Sequence, residues 1–382
     1  MKVLALTSIR SEYDLMSSLF SKLNDDDNII VKLLVGGAHN SKTFGLTVND
    51  IRADGFDIMQ VESLIDGDSS SSRLKSASLL MMSSIDWIKS YSPDLIIYAG
   101  DREEVLIGAM IGGYLSIPTI HFFAGDHACD GHIDNPARHA ASKLSTCHFV
   151  STEEHKNRLI AIGEPDYRIF NIGSVALDKF YEINCNSDIK NSVSKKEVKK
   201  PAALFIFHPV EEEINDVERI MKDTFDSLIE SGFHIFVGMP NTDYGNSKVR
   251  EVIDSYEFLD DITVYKNLPR HEFVQLFKAC DLIVGNSSAG ILESASIPIP
   301  CINIGLRQKG RFCGENVQFV GGSRREVLNA IEKARDPDYL ALINKMQNPY
   351  GNGKASDKAY KLIKSIDFKT ILAKKEDPLN NV

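Results

Sequence analysis

The feature that most constrains the fold of this sequence is an alternation of short apolar runs with longer amphipathic stretches, which recurs in both halves. In the first half, apolar runs that predict strands lie at residues 3–6, 30–35, 95–99, 119–122 and 148–151. In the second half they lie at residues 203–207, 234–237, 262–265, 282–284 and 300–304. The stretches between them, such as residues 72–91 and 103–115, predict helices. Because strands separated by helices are typical of βαβ units, the sequence predicts an α/β protein with parallel sheets.

The length of 382 residues accommodates two domains of ordinary size, and the two halves predict one Rossmann-like domain each. Residues 182–201 are polar, rich in lysine and end at Pro201, so they are the predicted interdomain linker. We therefore expect an N-terminal domain over residues 1–180 and a C-terminal domain over residues 201–353. Residues 354–382 are expected to form a helix and a tail that pack back on the first domain.

Charge and composition exclude several classes of partner. The net charge of −10 provides no basic field that would gather nucleic acid or an anionic membrane. No apolar run approaches the roughly 20 residues of a membrane-spanning helix, and the apolar start at residues 1–6 is too short for a secretory signal. The six cysteines lack the spacing of a zinc site or of a disulfide framework. We expect a cytoplasmic protein that binds neither nucleic acid nor membranes.

Three segments of the first half place polar residues just after predicted strands, where ligands bind in open α/β sheets. Arg10 follows the first strand and precedes a helix, although it is equally consistent with a solvated side chain in an ordinary loop. His39 follows a pair of glycines, and taken alone this pattern favours a turn with an exposed histidine over a position at the rim of the ligand cleft. Asp101 and Arg102 follow Gly100, and Asp101 is a candidate for catalysis, for capping the next helix, or for both.

The segment after residue 122 is unusually dense in titratable groups. It holds Asp126, His127, Asp130, Asp134, Arg138, His139 and Lys143. Neighbouring carboxylates drive each other's pKa values apart, which is one way for a site to obtain both an acid and a base. A metal site is the alternative, but neither a rigid ligand spacing nor the H-E-x-x-H pattern is present, so we expect no metal.

The second half carries a candidate phosphate site. The sequence from Gly285 to Gly290 consists almost entirely of small residues, among them Ser287 and Ser288, and lies between a predicted strand and a helix. Backbone N–H groups and hydroxyls in such a segment bind phosphate, although a plain turn is the alternative. The segment is not a Walker A loop, because the G-K-[ST] ending is missing. His208 also ends a strand, Glu293 is placed to bind ribose hydroxyls, and Arg307 lies in a basic loop after the next strand.

Taken together, these motifs resemble the hydrolysing UDP-N-acetylglucosamine 2-epimerases of sialic and legionaminic acid biosynthesis. The resemblance covers nearly the whole chain. The residues that match the family pattern are, in chain order, Arg10 with Glu12 and Tyr13, His39, residues 100–104, Asp134, Arg138 with His139, His208 with Pro209, Pro240 with Asn241, and residues 267–270, 285–288, 307–311, 314–317 and 351–354. Many matches in one order are far more specific than any single motif.

The resemblance implies a fold like the B-type glycosyltransferases (GT-B), with two domains facing a central cleft and UDP held mainly by the C-terminal domain. It implies that UDP is eliminated across C1–C2 and that water adds to the glycal, with no metal or redox cofactor. The implied catalytic residues are Asp101, Asp134 and His208, with Asp126 as a further carboxylate. The implied substrate-binding residues are Arg10, His39, Arg102, Arg138, His139, Asn241, Arg270, Ser287, Ser288, Gly290, Glu293 and Arg307. A homodimer or homotetramer is expected.

One position departs from the family pattern. Family members commonly have a glutamate where this chain has Phe123, two residues after His121. Either Asp126 or another nearby carboxylate takes its place, or the sugar differs, since an aromatic ring suits the methyl group of a UDP-2,4-diacetamido-2,4,6-trideoxyhexose. The alternatives to a hydrolysing enzyme are a non-hydrolysing 2-epimerase, a glycosyltransferase and a non-catalytic UDP-sugar-binding protein.

Overall fold

The computed structural model describes residues 1–67, 69–129, 133–240, 245–266 and 268–377, and within these ranges its strands form two sheets. The first sheet contains β1 (Lys2–Thr7), β2 (Ile30–Val35), β3 (Asp57–Gln60), β4 (Leu95–Ala99), β5 (Thr119–Phe122), β6 (Cys147–Val150) and β7 (Ile169–Asn171). The second contains β8 (Ala202–Ile206), β9 (His234–Gly238), β10 (Ile262–Tyr265), β11 (Leu282–Gly285), β12 (Cys301–Ile304) and β13 (Val317–Val320).

Helices connect the strands. They are α1 (Arg10–Asn24), α2 (Val48–Ala53), α3 (Ser70–Tyr91), α4 (Glu103–Leu115), α5 (Asp134–Leu144), α6 (Glu153–Ala161), α7 (Ala176–Glu182), α8 (Ile189–Ser194), α9 (Val217–Glu230), α10 (Asn246–Tyr256), α11 (Arg270–Ala279), α12 (Ser288–Leu292), α13 (Arg324–Ala334), α14 (Pro337–Ile343) and α15 (Ala355–Ser365). Among the described residues, no helix is both long and apolar enough to cross a bilayer.

Both sheets have the same connectivity. The strand order is β3-β2-β1-β4-β5-β6-β7 in the first and β10-β9-β8-β11-β12-β13 in the second. The pairings are parallel throughout, for example β1 with β2 and β8 with β9. The predicted α/β class with parallel sheets is confirmed, and each sheet has the strand order of a Rossmann domain.

Three strands were not predicted from the sequence, namely β3, β7 and β13. All three are edge strands of their sheets. An edge strand has a neighbour on one side only, and β13 is partly exposed along its whole length. Such strands do not form continuous apolar runs, which is the pattern on which the prediction depends.

The chain divides into two compact units. Unit 1 contains residues 1–127, 133–178 and the segment from Tyr350 onward, and unit 2 contains residues 179–349 with Ala128 and Cys129. The stretch predicted as a linker is not extended throughout, because it includes α8. Ile189 on that helix is 3% exposed and belongs to an apolar cluster of unit 2 with Phe180 and Phe277.

The C-terminal segment is built into unit 1. The Asp178 carboxylate accepts hydrogen bonds from the backbone N–H groups of Ala355 and Ser356, at 3.1 and 2.5 Å, at the start of α15. Ala359 and Ile363 on α15 pack in the same core cluster as the residues of α1. Farther along, the buried Arg168 donates to the Ala373 carbonyl at 3.1 Å and pairs with Glu376 at 2.8 Å. These contacts anchor the chain beyond residue 350 to the first sheet and its helices.

Candidate functional site

The strand order of each sheet identifies the place where a ligand would bind. In open α/β sheets, a crevice forms at the carboxyl ends of the two strands between which the strand order reverses. In unit 1 these strands are β1 and β4, which are followed by Arg10 and by Asp101 with Arg102. In unit 2 they are β8 and β11, which are followed by His208 and by residues 286–288. Some of the predicted site residues therefore lie at each reversal point.

Asp101 forms a directly hydrogen-bonded ion pair with Arg138 in unit 1. The Arg138 side chain is 7% exposed and that of Asp101 is 26% exposed, so the carboxylate reaches the surface while the guanidinium is enclosed. Asp101 does not cap the following helix, because the residue preceding α4 is Arg102. Asp134 is the first residue of α5, one turn before Arg138 on the same helix.

A buried histidine holds the Asp101 loop against the helix that carries Arg138. His121 is fully buried, and its Nε2 lies 2.7 Å from the Gly100 carbonyl oxygen. A carbonyl can only accept, so Nε2 carries the proton, and Nδ1 lies 3.0 Å from the Ser142 hydroxyl. Burial lowers the pKa of His121 to about 3, which keeps the ring neutral. His121 is therefore a rigid link between β4 and α5.

A cluster of charged groups lies beside the Asp101 loop. Arg102 forms ion pairs with Glu104 at 3.5 Å and with Glu103 at 3.8 Å, and Glu103 also pairs with Arg73. Glu12 accepts a hydrogen bond from the Ser8 backbone N–H at 3.1 Å.

Glu12 stands out from the other members of that cluster by its affinity for a proton. Burial raises the pKa of Glu12 to about 8, and the charge of Glu104 adds to the rise while Arg102 opposes it. Burial also raises the pKa of Glu104. Glu12 thus holds a proton at neutral pH, beside Arg102 and Glu104.

The turn after β5 encloses Asp126. This carboxylate is 2% exposed, accepts from the His127 backbone N–H at 2.8 Å and lies 3.4 Å from the ring of His155. Phe123 has a φ of +58°, in the left-handed region, and its ring packs against the main core cluster of unit 1 while remaining partly exposed. An aromatic residue in that conformation is uncommon, so the turn is strongly constrained.

Two further predicted histidines differ in environment. The rings of His139 and His127 stack with centroids 5.7 Å apart, and burial lowers the pKa of His139 to about 4. His39 is fully buried, with Nε2 2.9 Å from the Thr7 hydroxyl and Nδ1 2.8 Å from the Thr47 hydroxyl. The expectation of an exposed position for His39 is wrong, because both of its ring nitrogens bond within the protein. Arg10 pairs with Asp14 at 3.3 Å.

In unit 2, a buried amide connects the two strands at the reversal point. The Asn286 side chain accepts from the His208 backbone N–H and donates to the His208 carbonyl, both at 2.7 Å. Arg307 donates to the Asn286 carbonyl at 2.9 Å. Gly285 has a φ of +124°, and a Cβ there would lie 2.1 Å from the Ile206 carbonyl oxygen, so only glycine fits. The loop after β11 is therefore fixed to the loop after β8 by an uncharged group.

The predicted phosphate segment follows this amide. Ser287 precedes α12, its hydroxyl accepts from the Ala289 backbone N–H at 3.3 Å, and both Ser287 and Ser288 are partly exposed. Gly290 is buried, and a Cβ there would lie 2.8 Å from the Cys301 sulfur.

Glu293 and Arg270, two of the predicted substrate-binding residues, form a hydrogen-bonded ion pair. Their side chains are 2% and 9% exposed, respectively. The predicted Asn241 lies outside the described residues. Within the described ranges, no group of three or more His, Cys, Asp or Glu side chains is arranged to hold a metal ion.

The sequence analysis missed the roles of Glu12, His121 and Asn286. Glu12 appeared only as part of a matching motif, and its burial depends on a contact between the first turn of α1 and the residues that follow β4. His121 and Asn286 each follow or end an apolar run, and a polar residue in such a position signals a buried hydrogen bond. The sequence contains that signal but not the identity of the partner.

Comparison with known proteins gives consistent matches over most of the chain. A family model described as UDP-N-acetylglucosamine 2-epimerase matches residues 21–364. The chain is 32% identical to the UDP-N,N'-diacetylbacillosamine 2-epimerase (hydrolyzing) of Legionella pneumophila over 96% of both chains. It is 30% identical to the GDP/UDP-N,N'-diacetylbacillosamine 2-epimerase (hydrolyzing) of Campylobacter jejuni over 88% of both. The crystal structure of UDP-GlcNAc 2-epimerase from Neisseria meningitidis bound to UDP-GlcNAc shares the fold, with a TM-score of 0.79 at 17% identity over 96% of this chain and 100% of that one.

Proposed function

Since the chain belongs to the UDP-N-acetylglucosamine 2-epimerase family, we propose that it is a hydrolysing 2-epimerase of a UDP-linked acetamido sugar. The reaction consumes one water and releases UDP and the free sugar with inverted configuration at C2. The observation that carries the proposal is the similarity to a relative named as a hydrolyzing enzyme, which extends over 96% of both chains.

The proposed chemistry has two stages. In the first, a base removes the C2 proton and UDP leaves from C1, which gives a glycal. In the second, a proton adds to C2 from the opposite face and hydroxide from water adds to C1. The first stage needs a group that accepts a proton and the second needs a group that donates one. Unit 1 offers both kinds of group.

We assign the base to the carboxylates that face the surface of unit 1. Asp101 pairs with Arg138, and His121 bonds the carbonyl of the adjacent Gly100, so the Asp101 loop is fixed in position, as a base requires before proton transfer. Glu12, which burial keeps protonated at neutral pH, is suited to supply a proton. Asp134, Asp126 and His208 remain proposed participants in proton transfer or in stabilising the leaving group.

We assign the nucleotide to unit 2. The Ser287 and Ser288 hydroxyls are partly exposed on a loop that Asn286 and Gly285 anchor at its base, so donors for a diphosphate lie close to the positions from which they bind it. Arg307 is bonded to the same loop and adds a positive charge. Glu293, paired with Arg270, is the proposed partner of the ribose hydroxyls.

We propose UDP-N,N'-diacetylbacillosamine, a UDP-2,4-diacetamido-2,4,6-trideoxyglucose, as the preferred substrate. Two relatives that match most of the chain are named for this sugar. Phe123, where the family pattern has a glutamate, is partly exposed and presents an apolar ring, which suits a methyl group better than a hydroxymethyl group. UDP-N-acetylglucosamine is the competing substrate.

The cellular setting is proposed on the same grounds. A free 2-epimerised diacetamido sugar is a precursor for nonulosonic acids such as legionaminic acid, and we place the enzyme in that biosynthesis. We also propose a cytoplasmic homo-oligomer, a dimer or a tetramer.

A proton NMR time course in deuterated water, run separately on both UDP-sugars, tests the proposal. We expect free UDP, a reducing sugar inverted at C2 and deuterium at C2, with faster turnover of the diacetamido sugar. A UDP-sugar that is epimerised but not cleaved would instead show a non-hydrolysing 2-epimerase, and UDP-sugar binding without turnover would show a binding protein.

The Phe123→Glu variant sharpens the assignment of the sugar. One methyl group in an apolar contact is worth roughly 10-fold or more in kcat/KM. We therefore expect the variant to shift the kcat/KM ratio by about that factor towards UDP-N-acetylglucosamine. Wild-type preference for the 6-hydroxy sugar, together with no shift in the variant, would refute this choice of substrate.

A further inference from the structure

Asn303 is a buried amide for which the structure offers no hydrogen-bond partner. It lies on β12 and is 0% exposed. Neither its side-chain oxygen nor its side-chain nitrogen has a partner among the described residues. Asn286, which is equally buried, uses both of its side-chain polar atoms. A buried polar group without a partner destabilises a protein, so an amide at this position needs a physical explanation.

The register of β12 shows which side of the sheet Asn303 faces. Successive side chains of a strand point to opposite faces. Ile302 and Ile304 pack in the cluster formed with α9 and α13. Cys301 belongs to the opposite cluster, and its sulfur contacts the position of Gly290 on α12. Asn303 therefore faces the side of the sheet on which α12 lies.

The neighbour of Asn303 on the adjacent strand leads directly to the proposed phosphate segment. Gly285 of β11 is paired with Asn303, and residues 286–288 follow it. Because Gly285 has no side chain, nothing from that paired position covers the amide. Asn303 thus lies at the base of the loop that carries Ser287 and Ser288.

We propose that Asn303 is a positioning residue of the nucleotide site, whose amide bonds the main chain of residues 286–288 when a nucleoside diphosphate is bound there. This inference rests on the proposed function. The loop moves against the base of the sheet as its N–H groups and hydroxyls close on the phosphates, and Asn303 gains the partners that it otherwise lacks. Part of the affinity for the diphosphate then comes from satisfying a buried amide rather than from direct contact with the ligand.

Asn303→Leu, which keeps the number and branching of the side-chain heavy atoms and removes the polar ones, tests the inference with UDP as the probe. An asparagine with a purely structural role and one that positions the loop predict different combinations of melting temperature and UDP affinity in this variant. We expect the melting temperature without UDP to rise by a few degrees, because an unsatisfied amide is removed. We expect the dissociation constant for UDP, measured by calorimetric titration, to increase about three- to tenfold, the equivalent of roughly one net hydrogen bond.

Ile302→Val is the matched control, on the same strand but facing the other side. It is expected to lower the melting temperature slightly and to leave UDP affinity unchanged. If Asn303→Leu keeps wild-type affinity for UDP, or if its melting temperature falls, the inference is overturned. Absence of UDP binding by the wild-type protein would instead remove the proposed function, and that result is read from the wild-type titration alone.

A second variant and a second measurement cover the case in which Asn303→Leu does not fold. Asn303→Val is smaller and β-branched, as strands favour, and is expected to show the same pair of changes. In the wild-type protein, hydrogen exchange at the backbone amides of residues 286–290 is expected to slow when UDP is added. Unchanged exchange in this loop at saturating UDP would contradict the inference without any substitution.

Discussion

The two reversal points of the molecule share a topology and differ in chemistry. At the reversal point between β1 and β4, unit 1 has carboxylates and guanidinium groups. Asp101 is paired with Arg138, and Glu12 lies beside Arg102 and Glu104. At the reversal point between β8 and β11, unit 2 has an uncharged amide, Asn286, which bonds the main chain of His208 in the loop after β8. A carboxylate whose surroundings raise its pKa exchanges a proton close to the physiological pH range, whereas an amide does not. The same strand order thus supports one site suited to proton transfer and one suited to holding a ligand in a fixed geometry.

The strongest way to break this comparison is to remove a charge in unit 1 without altering its shape. Asp101→Asn should lower kcat by roughly 10²- to 10⁴-fold, the usual contribution of a positioned acid or base. Affinity for UDP should change little, because the proposed nucleotide residues belong to unit 2. Steady-state kinetics and calorimetric titration with UDP measure the two effects separately.

Asp50→Asn is the control for that prediction, since Asp50 is an exposed carboxylate on α2. It should leave both kcat and UDP affinity within experimental error of the wild type. Retention of the wild-type rate by Asp101→Asn would exclude Asp101 from the mechanism and would remove the contrast between the units.

The corresponding change in unit 2 is Asn286→Ala. It leaves the backbone N–H and carbonyl of His208 without their partner in a buried loop, so the free energy of unfolding should fall by about 2–4 kcal/mol. UDP affinity should fall with it, because the Ser287 loop loses its attachment to the loop after β8. Urea unfolding followed by circular dichroism, together with UDP titration, measures both quantities.

Asn344→Ala, at an exposed asparagine just after α14, serves as the control and should change stability by less than about 0.5 kcal/mol. A similarly small effect at Asn286 would show that the amide does not hold the two loops together.

The direct contacts with the diphosphate are tested by the double variant Ser287→Ala with Ser288→Ala. Loss of two hydroxyl donors should weaken UDP binding by about 10-fold, corresponding to roughly 1–2 kcal/mol. At saturating UDP-sugar the turnover number should decrease much less than in Asp101→Asn, because the acid and base groups are intact. Unchanged UDP affinity would refute the assignment of the phosphates to this loop.

The sequence was sufficient for the class of the fold and for the positions of most site residues, because both depend on local patterns. Apolar runs identify buried strands, and the residues that follow such runs lie at the carboxyl end of a sheet wherever the strands are parallel. The environment of His39 could not be obtained in this way, since its burial depends on Thr7 and Thr47, which come from separate elements. The raised pKa of Glu12 likewise comes first from its burial and then from the charge of Glu104, which is distant in sequence.

The least disruptive test of the comparison uses pH. Burial raises the pKa of Glu12 from its ordinary 4.5 to about 8, so between these values the folded protein retains a proton that the unfolded chain has lost. Stability from this group is therefore fully present below pH 4.5 and is lost as pH rises towards 8, by up to about 1.4 kcal/mol per pH unit. Glu12→Gln mimics the protonated side chain and should abolish that loss.

The difference in stability between Glu12→Gln and the wild type should accordingly be small near pH 4.5 and grow in favour of the variant up to about pH 8. Buried histidines such as His39, whose pKa burial lowers to about 3, act in the opposite direction at acidic pH, but they are present in both proteins and cancel in the difference. Trp87, the single tryptophan of the chain, lies on α3 in unit 1, so its fluorescence during urea unfolding reports the unit that contains Glu12.

Glu332→Gln, at an exposed carboxylate of unit 2, is the control and should show no such dependence of stability on pH. A difference that stays constant from pH 4.5 to 8 would mean that Glu12 is ionised in the folded protein, and the source of the proton in unit 1 would have to be another group.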